Sequence, residues 1–206
     1  MAEEIATGVG ISVYYGMTIT PSDVARVLNG AGVKFVFVGA HAVNAYSGRP
    51  RATQDVDVLT DAPVKAVAAL LAAYPHLDPR DHPAVVNFFD GDKIVLDVIK
   101  AKPVPMFRKL FGGATRVMLD GELLPVPAIE GVLTMKFKSM TSPTRPHPDR
   151  LQDAADFGRV IQAADELDIP IDLDRLRDLG ELCYAGGGEH VLEHVSDIRA
   201  GRMLKL

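Results

Sequence analysis

Residues 39 to 59 read GAHAVNAYSGRPRATQDVDVL, and the rest of the chain is read outward from this stretch. It follows KFVFV, Lys34 to Val38, whose β-branched and aromatic content predicts a short buried strand. Gly39 comes directly after that strand, and Ala40 to Tyr46 is apolar and compatible with a helix. Ser47-Gly48-Arg49-Pro50 breaks the helix, and polar residues Arg51 to Gln54 lead into Asp55-Val56-Asp57-Val58-Leu59, whose alternation predicts a second strand. Residues two apart in a strand face the same way, so Asp55 and Asp57 present neighbouring carboxylates while Val56 and Val58 turn to the core. Two like charges that close repel, and are tolerated at a surface or around a divalent cation.

On the N-terminal side, Ile11 to Tyr15 has the content of a short strand. Thr20-Pro21 then reads as a helix cap followed by a first-turn proline, with Val24, Val27 and Leu28 at helical spacing and Asn29-Gly30 and Gly32 as the stop. On the C-terminal side a helix is expected from Pro63 to Ala73, then a loop from Tyr74 to Pro83. Val85 to Phe89 and Lys93 to Ile99 read as strands joined by the turn Asp90-Gly91-Asp92. Pro103 to Leu110 reads as helix, and Thr115 to Leu119 and Leu123 to Val126 as short strands around Asp120-Gly121. From Ile129 the pattern is helical, over Ile129 to Met140, Pro148 to Leu167 and Leu173 to Ala185, with Gly186-Gly187-Gly188 as a flexible break. The expected fold class is α/β (α+β), a mixed sheet with flanking helices over residues 20–127 followed by a helical region over 128–206.

Asp97 stands mid-strand in the apolar run KIVLDVI, where an unpaired buried carboxylate is costly. If its strand lies beside that of Asp55 and Asp57, three carboxylates converge into a natural Mg²⁺ site. Gly39-Ala40 supplies close backbone approach and the free N–H groups of a helix start, suited to phosphate. Arg49 and Arg51 offer guanidinium forks for the same oxygens, Arg51 standing closer to the aspartates. Carboxylates, metal and phosphate cradle together are the equipment of phosphoryl or nucleotidyl transfer.

This order of strand, glycine motif, short helix, Asp-x-Asp and a later strand aspartate resembles the DNA polymerase β-type nucleotidyltransferase superfamily. More narrowly, VGAHAV…GRPRATQDVDVL resembles the minimal nucleotidyltransferases related to the abortive-infection (AbiEii-like) toxins. Residues 125–156, PVPAIEGVLTMKFKSM…RPHPDRLQDAADF, resemble their closing helix with its lysine and the later Arg/Lys-x-x-Asp-x-x-Asp, so the likeness spans roughly residues 20–165. The resemblance implies a nucleotidyltransferase fold and transfer of NMP from an NTP to an acceptor hydroxyl on tRNA, protein or a small molecule. It implies Mg²⁺, two ions, held by Asp55, Asp57 and Asp97, the last also taking the acceptor's proton. It sets Gly39 and Ala40 at the nucleotide, with Ala40 where glycine or serine is usual. Lys136 or Lys138 matches the helix lysine that approaches the triphosphate; two apart, they cannot share a helix face, and Lys136 is favoured. It also implies a toxin's role with an antitoxin protein as partner.

Composition bounds these readings. With 206 residues, 48% hydrophobic and 24% charged, the chain can bury a proper core. Its net charge of −5 argues against a broad nucleic-acid-binding surface, though not against a local basic patch such as one around Arg145 and Arg150. The first residues, MAEEIATGVG, lack a signal peptide's basic region and no window is apolar enough to span a membrane, so a cytoplasmic protein is expected. Cys183 reads as a small buried hydrophobe, His41 as a structural histidine, and Asp90 and Asp92 as turn residues. Asp153 and Asp156 share a helix face, either orienting Lys136 or an arginine or meeting solvent. His190 and His194, four apart, have a metal-compatible spacing without the H-E-x-x-H order. Two other functions compete: a non-catalytic nucleotide-binding or partner subunit, favoured by Ala40, and a glycosyltransferase using Asp-Val-Asp for a metal–sugar nucleotide, for which little chain precedes Asp55.

Overall fold

The computed structural model describes residues 19–47, 52–119 and 122–204. The Ile11–Tyr15 segment, Arg49, Arg51 and the Asp120-Gly121 turn lie outside the described residues. The described chain forms two compact units: residues 19–45 with 52–127, and Tyr46 and Ser47 with residues 128–204. No described helix is long and apolar enough to cross a membrane.

The first unit is built on a five-stranded mixed sheet. Its strands are β1 (Phe35–Phe37), β2 (Val56–Thr60), β3 (Asp78–Asp81), β4 (Val85–Asp90) and β5 (Lys93–Lys100), in the order β1-β2-β5-β4-β3. Only β2 and β5 run parallel; the other neighbouring pairs are antiparallel. A separate hairpin pairs β6 (Thr115–Leu119) with β7 (Glu122–Val126). Helix α1 (Pro21–Gly30) starts as its sequence predicts: the Thr20 side chain accepts from the Asp23 N–H and the Asp23 side chain accepts from Thr20 in return. The Thr20 hydroxyl donates to Asp23 Oδ2 at 2.7 Å, and this bond above all holds the Asp23 carboxyl below its ordinary value. Helices α2 (Gly39–Ser47), α3 (Pro63–Ala73) and α4 (Pro105–Leu110) complete the set.

Alternation decides which sheet face is the core. Leu96, Val98, Phe88, Val56 and Val58 are fully buried on one side, with Leu28, Leu70, Met106 and Leu110 among the other fully buried side chains of the unit. Each such side chain contributes about 1.5–3 kcal/mol by leaving water. Asp57, Asn87 and Asp97, on the opposite parity, remain partly exposed. Two expectations change here. Strand β2 begins at Val56, so Asp55 is the bend residue just before it. The expected loop from Tyr74 to Pro83 contains β3, a charged DPRD edge strand whose Arg80 lies over the Phe89 ring at 3.9 Å.

The second unit holds α5 (Ile129–Met140), α6 (His147–Glu166), α7 (Leu173–Glu181) and α8 (Gly187–Arg199). Helix α5 is the central element, with buried residues all around it, among them Leu133, Phe137 and Met140. Asp153 and Asp156 turn inward: Lys136 Nζ sits 2.9 Å from Asp153 Oδ1 and 2.8 Å from Asp156 Oδ2, all three residues buried. Arg145 Nε lies 2.6 Å from Asp153 Oδ2 and Arg159 3.2 Å from Asp156 Oδ1, so the two carboxylates are matched by three cations. Lys136→Met would leave those buried carboxylates without their central cation, and it is expected to destabilise the chain by about 3–5 kcal/mol in urea denaturation. A loss below about 1 kcal/mol would show that the network does not hold the unit together.

The glycine run is not a flexible break. Gly187 and Gly188 are buried in the first turn of α8, and a Cβ on Gly187 would lie 2.4 Å from the Gly180 carbonyl oxygen. A Cβ on Gly188 would lie 2.8 Å from the carbonyl oxygen of Arg177. These glycines let α7 and α8 cross at backbone contact, a tertiary reason that local propensity does not carry. The His190 and His194 rings meet on α8 with centroids 4.3 Å apart and a 53° tilt, His194 lying against Phe137 and Phe157. Burial lowers the His194 pKa, and His190 beside it acts in the same direction.

Candidate active site

The site follows from how β1 ends. The Val38 N–H donates to the Asp57 carbonyl at 3.0 Å, carrying the β1–β2 pairing one residue past Phe37↔Val58. The chain then turns at once into α2 through Gly39, whose φ is +58°. A Cβ at Gly39 would lie 1.9 Å from Asp57 Oδ2 and 2.7 Å from its carboxyl carbon. Only glycine therefore permits this helix start to rest on the carboxylate. The first-turn N–H groups of a helix have no acceptor within it and carry partial positive charge. Gly39 is half-exposed at that end, whereas Ala40 is buried. His41 is fully buried, its ring 6.4 Å from that of Phe37.

The parallel pairing of β2 with β5 places Asp57 directly opposite Asp97. Asp55, from the bend before β2, joins them: one carboxylate oxygen from each of Asp55, Asp57 and Asp97 lies within 4.8 Å of the other two, and all three residues are half-buried. The expected convergence of Asp97 on the Asp-x-Asp pair is thus present. Burial pushes the Asp97 carboxyl above its ordinary value; a hydrogen bond from Asn87 opposes this, and the Asp55 charge adds to it. Three acidic oxygens this close, one with raised proton affinity, form a donor set that suits a hard divalent cation. No other group of three or more His, Cys, Asp or Glu side chains among the described residues converges in this way, so His190 and His194 gather no third ligand of those types.

Two residues at the site were not read from the sequence. Asn87 is the β4 partner of Asp97, and its Nδ2 donates to Asp97 Oδ1 at 2.7 Å. The Thr53 hydroxyl donates to Asp55 Oδ1 at 2.6 Å. Asn87 carries a signal that could have been used: an asparagine inside VVNFFD, where strands disfavour it, asks for a partner. Thr53 carries none. Lys136 belongs to the second unit, in the network with Asp153 and Asp156.

By its likeness to solved structures the chain has a nucleotidyltransferase fold. Among solved structures, it is similar to the solution structure of the antibiotic-resistance factor ANT(2″)-Ia, with 14% identity, 86% of this chain and 88% of that chain covered, and a TM-score of 0.51. An antigenic nucleotidyltransferase-like protein from Paracoccidioides brasiliensis matches at 17% identity over 79% of this chain and 89% of that one, TM-score 0.47. A lincomycin-bound lincosamide antibiotic adenylyltransferase, LnuA, matches at 14% identity over 69% and 98%, TM-score 0.48. No protein-family model and no curated protein sequence matches the chain.

Proposed function

We propose that the chain is a Mg²⁺-dependent nucleotidyltransferase that moves NMP from an NTP to an acceptor hydroxyl. The observation that carries this is the convergence of Asp55, Asp57 and Asp97 beside the Gly39 helix start. The three aspartates would hold the metal, two ions in the proposal, and a divalent cation bound there would neutralise phosphate charge and help ionise the attacking hydroxyl. The N-terminal turn of α2 at Gly39 and Ala40 receives the phosphates, Gly39 through its partly exposed backbone and Ala40 through the helix dipole alone. Arg51 completes the phosphate side of the proposal, on the strength of the family resemblance. In the reaction the acceptor oxygen bonds the α-phosphorus, the bond to the bridging oxygen breaks, and pyrophosphate leaves. The hydroxyl proton passes to Asp97 in this proposal, a role carried by the family resemblance. Most of the acceleration comes from positioning and charge complementarity.

The acceptor is a hydroxyl of tRNA, protein or a small molecule. The proposal includes kinship with the abortive-infection toxins, a cytoplasmic setting and an antitoxin protein as partner. The test is incubation of the whole chain with Mg²⁺ and each labelled NTP in turn, reading pyrophosphate release, self-labelling and label on added tRNA. Release that EDTA stops supports the proposal. Nucleotide binding with no turnover on any acceptor favours instead a non-catalytic nucleotide-binding subunit, the reading that the buried, hydroxyl-free Ala40 favours.

A further inference from the structure

We infer that Asn87 is a positioning residue that makes Asp97 a one-oxygen ligand, and that it thereby favours a small octahedral cation over calcium at the aspartate site. The inference rests on the metal-site reading above and deepens it.

Asp57, Asp97 and Asn87 form one row across three adjacent strands, β2, β5 and β4, set by the registers Asp57↔Asp97 and Asn87↔Asp97. Strand pairing, not a mobile loop, therefore fixes the spacing of the three side chains. Asn87 Nδ2 donates to Asp97 Oδ1 at 2.7 Å, which takes one acceptor site of that oxygen and fixes the carboxylate plane. A carboxylate held this way through one oxygen resists turning both oxygens equally to one ion. Thr53 treats Asp55 in the same way, its hydroxyl taking Oδ1 at 2.6 Å. Two of the three carboxylates are thus each oriented by a hydrogen bond to one of their oxygens.

That arrangement discriminates between hard cations. Mg²⁺ requires near-octahedral geometry at about 2.0–2.1 Å and is served by single oxygens from a few carboxylates. Ca²⁺ takes six to eight oxygens at about 2.3–2.6 Å and gains from carboxylates that give both. An Asp97 released from Asn87 could rotate and give both oxygens, which would narrow the difference between the two ions. Partners that orient ligating carboxylates typically change metal affinity by about 10–100-fold.

The test uses the whole chain freed of metal by EDTA and dialysis. Free Mn²⁺ is followed by electron paramagnetic resonance, with Mg²⁺ and Ca²⁺ as competitors. Asn87→Leu keeps the side-chain shape and removes the amide, and Asn87→Ala is the second variant should leucine prevent folding, judged by metal-free thermal melting. In the folded variant Mg²⁺ affinity is expected to fall about tenfold. Ca²⁺ affinity is expected to fall by clearly less, so that the Mg²⁺/Ca²⁺ preference drops. An unchanged preference, or equal losses for both ions, would overturn the role of Asn87 while leaving the metal site standing if Asp97→Asn abolishes Mn²⁺ binding. A wild-type chain that binds no Mn²⁺, or an Asp97→Asn variant that binds it as well as wild type, would overturn the metal site and this inference together.

Discussion

Asp97→Asn is expected to lower nucleotidyl transfer by on the order of 10³-fold or more, about 4 kcal/mol of transition-state stabilisation. The side chain keeps its shape, and its carbonyl can still accept from Asn87, so the change removes charge and little else. The metal-free protein should respond in the opposite sense. Burial, followed by the Asp55 charge and against the Asn87 hydrogen bond, raises the Asp97 pKa above its ordinary 3.8. The native state therefore binds this proton more tightly than the unfolded chain does. Stability is lost as pH rises from that ordinary value through the raised one, and stays lost above it. Asparagine has no such titration. In urea denaturation with EDTA, wild type should lose ground to Asp97→Asn as pH rises above the ordinary carboxyl value of 3.8. Added Mg²⁺ should reverse the order by stabilising wild type alone. Undiminished transfer by the variant would contradict the assignment.

Gly39→Ala is the second large effect. Alanine at φ +58° is strained by about 1–2 kcal/mol, and its Cβ would lie 1.9 Å from Asp57 Oδ2, so either the helix start or the carboxylate must move. A shift of about 1 Å at a reacting centre costs on the order of 10²-fold in rate, and transfer should fall by at least that much. Gly91 supplies the control. Its φ is +60°, but a Cβ there meets nothing within 4 Å. Gly91→Ala should carry a similar backbone penalty with transfer intact. Equal losses of transfer in both variants would mean that Gly39 matters only as a turn.

Much of the fold was legible where a local rule and the tertiary structure agree. KFVFV reads as a buried strand because Phe35 to Phe37 are all buried, KIVLDVI because Val95, Leu96 and Val98 are, and Thr20-Pro21 caps α1 as its chemistry requires. The Asp-x-Asp pair could be read directly, but Asp97 joined it only on the condition that two strands were neighbours. The β2–β5 register meets that condition, which no local pattern encodes. Strand β3 escaped because DPRD has no apolar alternation; it is held by pairing with β4 at a charged edge. Gly187 and Gly188 looked like a break because glycine is a poor helix former. Their reason is the closeness of Gly180 and Arg177 on another helix. Asp153 and Asp156 could face either way on sequence spacing, and the buried Lys136 ammonium decides their direction.

The most direct test of the central claim is the anomalous diffraction of Mn²⁺ in crystals of the whole chain grown with a non-hydrolysable NTP analogue. The account predicts a peak bounded by carboxylate oxygens of Asp55, Asp57 and Asp97, with the analogue's phosphates toward Gly39. Bound nucleotide with no Mn²⁺ at these three aspartates, or Mn²⁺ ordered elsewhere on the chain instead, would contradict it.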